Sequence, residues 1–158
     1  MTGDNVSGDI TGLIGQYAHG NEPSHHIAYL YTAIGKPHKT AERVHQIMST
    51  LYSDTPDGLS GNEDCGQMSA WYVWSALGMY PMNAAAGEYL IGTPAIDEAL
   101  ITLPNSKRFT IKVSRQSPSS KYVAAIHLNN QPMKLLAVKH ADIMQGRILQ
   151  FKLTDLPE

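Results

Sequence analysis

Acidic residues crowd the stretch between residues 54 and 64, and the last two, Glu63 and Asp64, stand immediately before an apolar run that begins at Met68. A carboxylate held still beside a reacting bond can take or give a proton, which is general acid–base chemistry. Asp64 is the best placed of these acids, because the residues after it cannot all face solvent. Trp71 and Trp74, close behind it, offer ring faces on which a sugar could stack. A second reading stands beside this one. Asp is a preferred N-cap, its carboxylate accepting the unpaired N–H groups of a helix's first turn and meeting the positive end of the helix dipole. Both readings place Asp64 at a loop–helix junction. The remaining acids, Asp4, Asp9, Asp54 and Asp57, read as solvated loop residues.

A second cluster lies upstream, in His19-Gly20-Asn21-Glu22-Pro23-Ser24-His25-His26. Three histidines within eight residues raise a metal site, but their spacing matches no zinc signature and Cys65 is remote in sequence. Surface or supporting histidines are the plainer reading. Asn21 and Glu22 are oxygen donors, which suit a hard cation such as calcium better than zinc. The chain has no phosphate-binding Gly-Lys-Ser/Thr loop, no dinucleotide fingerprint and no Gly-x-Ser-x-Gly elbow.

The elements that must carry these residues follow from periodicity. Pro23 suits a first helical position, and Ile27, Leu30, Tyr31 and Ile34 recur at helical spacing until Gly35. Pro37 opens a second helix, with Thr40 or a neighbour as cap and Val44, Ile47, Met48 and Leu51 on one face. Together they predict an αα-hairpin. A third helix, about 65–77, is apolar around its whole circumference and should be buried on nearly all sides; Gly78 and Pro81 end it. After residue 87 the period becomes alternating, and strands are predicted at 89–91, 100–103, 109–113, 122–128, 134–138 and 148–153. Residues 1–23 read as loop, with a glycosylation sequon at Asn5-Val6-Ser7. The layout is α first and β second, divided as 1–87 and 88–158.

Bulk properties narrow the classes. The chain has 158 residues, 42% of them hydrophobic and 16% charged, a net charge of −2 and a pI near 6.4. Nothing here makes a basic field for nucleic acid or an anionic membrane. No apolar run has the length of a membrane span, and the first residues lack the charged and apolar regions of a signal peptide. A single cysteine forms no internal disulfide and leaves the compartment open.

Residues 19–26, the stretch Gly61-Asn62-Glu63-Asp64-Cys65-Gly66-Gln67-Met68-Ser69-Ala70-Trp71 and Gly87-Glu88-Tyr89-Leu90-Ile91-Gly92-Thr93-Pro94 resemble signature stretches of glycoside hydrolase family 92, the calcium-dependent exo-acting α-mannosidases. The likeness extends to His140-Ala141-Asp142-Ile143-Met144-Gln145-Gly146. It implies the later part of an (α/α)6 barrel followed by strands that pack on an N-terminal β-sandwich. It also implies release of terminal α-mannose, α-1,2-linked, with inversion. By resemblance Asp64 is the general base that activates water, with Asn62 at a position where some members carry a second acid. His19, Asn21, Glu22 and Glu63 fall at the sugar site, with Asn21 and Glu22 as calcium ligands. Members are often periplasmic or secreted.

Inverting chemistry needs two carboxyl groups about 6.5–9.5 Å apart. Neighbours Glu63 and Asp64 do not make that pair, and the family's general acid lies upstream of the histidine-rich motif. The expectation is therefore a part of a longer enzyme, inactive alone and covered by its N-terminal part or a second copy. The competing expectation is a non-catalytic carbohydrate-binding or interaction module that completes a partner chain. An apolar third helix with only two others to cover it favours missing structure in either case.

Overall fold

The computed structural model describes residues 10–133 and 136–157; the sequon and Asp4 and Asp9 lie outside them. The described residues open with a short hairpin, β1 (Leu13–Ile14) against β2 (Tyr17–Ala18), where a loop was expected. Gly15, between them at φ 62°, makes the reversal. Pro23 starts a helical turn as predicted, but only a 3-10 turn over Glu22–Ser24, and α1 (Ile27–Ala33) begins afresh. Helix α2 (Pro37–Thr50) follows, then α3 (Gln67–Ala76).

The buried face of α1 is not the predicted one. Ala28, Tyr29 and Thr32 turn inward, while Ile27, Leu30 and Ile34 are exposed, Ile34 by 66%. The inward face is held by polar contacts that hydrophobic spacing cannot report. Tyr29 donates to Ser75 Oγ at 2.8 Å, and the Thr32 hydroxyl lies within bonding distance of Thr40 Oγ1 (2.8 Å) and the Ile91 carbonyl (3.0 Å). Thr40 is thus a buried member of α2 and not its cap, which is Lys36. Helix α3 is likewise covered on one side only: Met68, Trp71 and Ser75 are buried, whereas Tyr72 and Val73 are exposed.

Gly78, at φ 77°, ends α3 as expected, but Pro81 lies within a strand, β3 (Met79–Asn83). It is tolerated there because the pairing with β4 (Glu88–Ile91) is irregular between Tyr80 and Asn83. A division at residues 87 and 88 cuts this hairpin. Next come β5 (Glu98–Thr102), β6 (Arg108–Arg115), β7 (Tyr122–Leu128), β8 (Gln131–Pro132) and β9 (Ala137–Lys139). A short helix that periodicity missed, α4 (His140–Met144), precedes β10 (Ile148–Thr154). One sheet has the order β5-β6-β10-β7-β8, with β10 parallel to β6 and antiparallel to β7; a second has the order β3-β4-β9. Predicted strands at 89–91, 100–103, 109–113, 122–128 and 148–153 fall on β4, β5, β6, β7 and β10, within two residues at each end.

Two cores result. Phe109, Ile111, Ile126, Leu149, Phe151 and Leu153 alternate along β6, β7 and β10 and pack with Met79, Ile91 and Val138. Ala28, Tyr29, Val44, Ile47 and Trp71 form the helical core. The site residues sit over the second.

Candidate active site

The loop that carries Asp64 is tied down at both ends. After α2, Tyr52 pairs with Leu59 in an isolated antiparallel bridge, and Ser60 Oγ donates to the Leu51 carbonyl at 2.8 Å. Gly61 then meets the upstream loop: a Cβ there would come within 2.9 Å of Gly20 Cα and its carbonyl oxygen. Only glycine permits so close a crossing. Residues far apart in sequence are brought together by it, with residues 19–26 on one side and 59–67 on the other.

The next turn decides which acid does what. Asp64, Cys65 and Gly66 all have positive φ (42°, 60° and 89°), a strained run for two side-chain-bearing residues. Glu63 sustains it. Its carbonyl accepts the Gly66 and Gln67 amides at 3.1 and 2.9 Å, and its carboxylate accepts the Ser69 amide at 2.9 Å and the Ser69 hydroxyl at 2.8 Å. Helix α3 is therefore capped from Glu63, and its N-cap position is Gly66 with no side-chain bond. The N-cap reading of Asp64 fails. Asp64 is exposed, held on a left-handed turn at the positive end of α3. Asn62 and Cys65 are exposed beside it.

Behind the turn lies a buried aromatic and imidazole cluster. His19 and His25 are each 0% exposed, with ring centroids 4.7 Å apart. His19 Nδ1 lies 2.7 Å from the Tyr17 hydroxyl and its Nε2 lies 2.6 Å from the Tyr52 hydroxyl. Tyr52 spends its proton on the Met68 carbonyl at 3.1 Å, so His19 carries its hydrogen on Nε2 and accepts from Tyr17. His25 Nε2–H donates to the His19 carbonyl at 3.0 Å, leaving Nδ1 to accept from the Gln67 amide at 3.4 Å. The Trp71 indole N–H closes on the His25 carbonyl at 3.0 Å. His19 is thus fully buried, with both ring nitrogens bonded within this chain. Trp71, 1% exposed, has no face left for a sugar, and Trp74 stacks on Tyr89 with centroids 4.8 Å apart.

Burial holds both histidines neutral: His19 is lowered from 6.5 to about 3, with His25 nearby adding to the effect, and His25 is lowered also. A depressed folded value means that the unfolded chain takes up protons first as pH falls. Stability contributed by neutral His19 and His25 is therefore complete above about pH 6.5 and declines below it. Urea midpoints should be level from pH 8 to 7 and drop between pH 6.5 and 5, a window in which the depressed carboxylates of Glu42 and Asp155 remain ionised. A midpoint unchanged at pH 5 would contradict the neutral pair.

Glu22 provides the test for a cation. Its Oε1 is buried with no hydrogen-bond partner, as is Thr11 Oγ1, and Thr11 Oγ1 is the atom against which a Cβ at Gly20 would collide. An orphaned carboxylate oxygen is costly unless something positive meets it. A hard cation such as calcium, which takes six to eight oxygen ligands, would meet that need at Glu22. Among the described residues no group of three His, Cys, Asp or Glu side chains could hold a metal. A cleft of about 790 Å3 lined by His45, Thr93, Arg115 and Ser117 contains none of these residues.

Residues 2–155 match the model of the glycosyl hydrolase family 92 catalytic domain. The chain belongs to glycosyl hydrolase family 92. It is similar to a family 92 α-mannosidase of Bacteroides thetaiotaomicron, solved in complex with mannoimidazole, with a TM-score of 0.90 and 38% identity, covering 95% of this chain and 20% of that one. A family 92 inverting mannosidase from the same organism matches with a TM-score of 0.83 and 38% identity, over 90% of this chain and 19% of that one. A protein of Arthroderma benhamiae described as an uncharacterized secreted glycosidase is 29% identical over 85% of this chain and 18% of its own length. The chain thus spans about a fifth of the length of the relatives it matches. Among the described residues no helix is long and apolar enough to cross a membrane.

Tyr52, Gln67 and Ser69 were not legible as site residues. Tyr52 lies outside the quoted stretches, and Gln67 and Ser69, though within 61–71, matter only because the chain brings them back on His25 and on Glu63.

Proposed function

We propose that this chain forms the base-bearing part of an inverting exo-α-mannosidase acting on terminal, α-1,2-linked mannose outside the cytoplasm. The observation that carries this reading is the placement of the neighbouring acids: Glu63 caps α3, and Asp64 is exposed on a turn of positive φ at the positive end of that helix. Asp64 takes a proton from the attacking water as that water reaches the anomeric carbon. Asn62 orients the same water. Asn21 and Glu22 contribute oxygens to calcium, which when bound holds sugar hydroxyls. Kinship with an inverting mannosidase supports the stereochemistry, and kinship with a secreted glycosidase supports the location.

The general acid belongs on the far side of the sugar, on structure outside the described residues. The exposed stripe Ile27, Leu30 and Ile34, with the groove of about 400 Å3 lined by Ile14, Tyr17, Ile27, Tyr31 and Arg43, supports the same view. Apolar surface of this extent requires cover, and further barrel helices with an N-terminal β-sandwich would provide it. The purified 158-residue chain should therefore leave α-1,2-mannobiose intact. Turnover by that chain, lost on calcium chelation and in Asp64→Ala, would overturn the division of the site.

A further inference from the structure

The contacts behind the site close into a ring. From the first turn of α3, the Met68 carbonyl accepts from Tyr52; Tyr52 accepts from His19 Nε2–H; the His19 carbonyl accepts from His25 Nε2–H; and His25 Nδ1 accepts from Gln67, the neighbour of Met68. Each donor in this ring has one acceptor, and the His19 tautomer is dictated by the direction of the Tyr52 proton. Tyr52 is also wedged by packing, its ring 6.0 Å from Trp71 and within 5° of parallel, and 4.8 Å from Tyr72. Its backbone meanwhile anchors the loop through Leu59. The ring therefore joins the helix start that carries Asp64 to the loop that carries Asn21 and Glu22.

We infer that Tyr52 is a positioning residue that sets the Asp64 carboxylate against the sugar held by the residue 19–26 loop, acting through His19 and the Met68 carbonyl. The inference rests on the assignment of Asp64 as base. A hydroxyl at this position fixes the offset between two loops that share no covalent path shorter than the whole α1–α2 hairpin. Without it His19 Nε2–H loses its partner and the Met68 carbonyl loses its tie to Tyr52, and the first turn of α3 can shift by a fraction of an ångström. Such a shift separates water from carbon without removing the groups that bind mannose. Misplacement of about 1 Å costs about a hundredfold in rate.

The test is Tyr52→Phe in a complete family 92 mannosidase carrying these residues, assayed on α-1,2-mannobiose with Asp64→Asn in parallel. Tyr52→Phe should lower kcat by about ten- to a hundredfold and change KM less than about threefold. Should Tyr52→Phe fail to fold, Gln67→Met cuts the same ring at an exposed position and should lower kcat by about three- to tenfold with KM unchanged. A kcat within twofold of wild type in a folded Tyr52→Phe or Gln67→Met enzyme, with a lowered melting temperature alone, would show a merely structural ring and overturn the inference. An Asp64→Asn enzyme with full kcat overturns the base assignment instead, which distinguishes the two failures.

Discussion

Replacing Asp64 with asparagine in a complete family 92 mannosidase carrying these residues should lower kcat on α-mannosides by about 10²- to 10⁴-fold while KM stays within a few fold. That range is the usual contribution of a positioned general base, and at about 1.36 kcal/mol per tenfold it corresponds to about 2.7–5.4 kcal/mol of barrier. The substitution is informative because the fold should tolerate it. Asp64 has φ 42°, a conformation that asparagine adopts more readily than other side chains of similar size, and α3 takes its cap from Glu63. The loss would thus report the missing base and not a melted helix. The wild-type enzyme should release β-mannose first, seen by NMR of the fresh reaction, since water attacks opposite the leaving group. A kcat within fivefold of wild type, or α-mannose as first product, would remove Asp64 from the base role.

The largest stability effect is expected at Trp71. Its indole is 1% exposed, donates to the His25 carbonyl at 3.0 Å and packs edge-on against His19 with centroids 4.5 Å apart. Trp71→Ala should cost about 3–5 kcal/mol in urea denaturation, the range for deleting a large buried aromatic. Trp71→Phe should cost less, keeping much of the volume and losing the bond to His25. The effect exceeds simple cavity formation in one respect. Loop 19–26 rests on this indole through His19 and His25, and Gly61 crosses that loop at Gly20, so hydrogen exchange of the Gly20 and Gly61 amides should accelerate along with global unfolding. A Trp71→Ala variant destabilised by less than about 1 kcal/mol would mean that the two loops are held elsewhere.

Much of this was legible in the residues. Alternation along 109–113 and 148–153 became β6 and β10, with Phe109, Ile111, Leu149, Phe151 and Leu153 buried as their period requires. Gly35 and Gly78 stopped helices, and Asp64 stood at a loop–helix junction as expected. The stripe on α1 was read as the buried face because hydrophobic spacing identifies apolar surface without saying which neighbour covers it. Here the neighbour in the chain takes the opposite face, through Tyr29 and Thr32.

Sequence alone determined the inventory: an acid before an apolar helix, oxygen donors beside clustered histidines, glycines where chains must cross, and helices followed by strands. Local chemistry suffices for these, since propensity and period act over a few residues. Tertiary structure decided the roles. Whether Glu63 or Asp64 capped α3 depended on a turn of positive φ that folds the Glu63 carboxylate onto Ser69. What the His19 nitrogens bond depended on Tyr17 and Tyr52, two and thirty-three residues away, which take both of them. Hydrogen bonds satisfy whatever partner the fold brings within about 3 Å, and that partner is set by the packing of α1, α2 and α3 and not by distance along the chain.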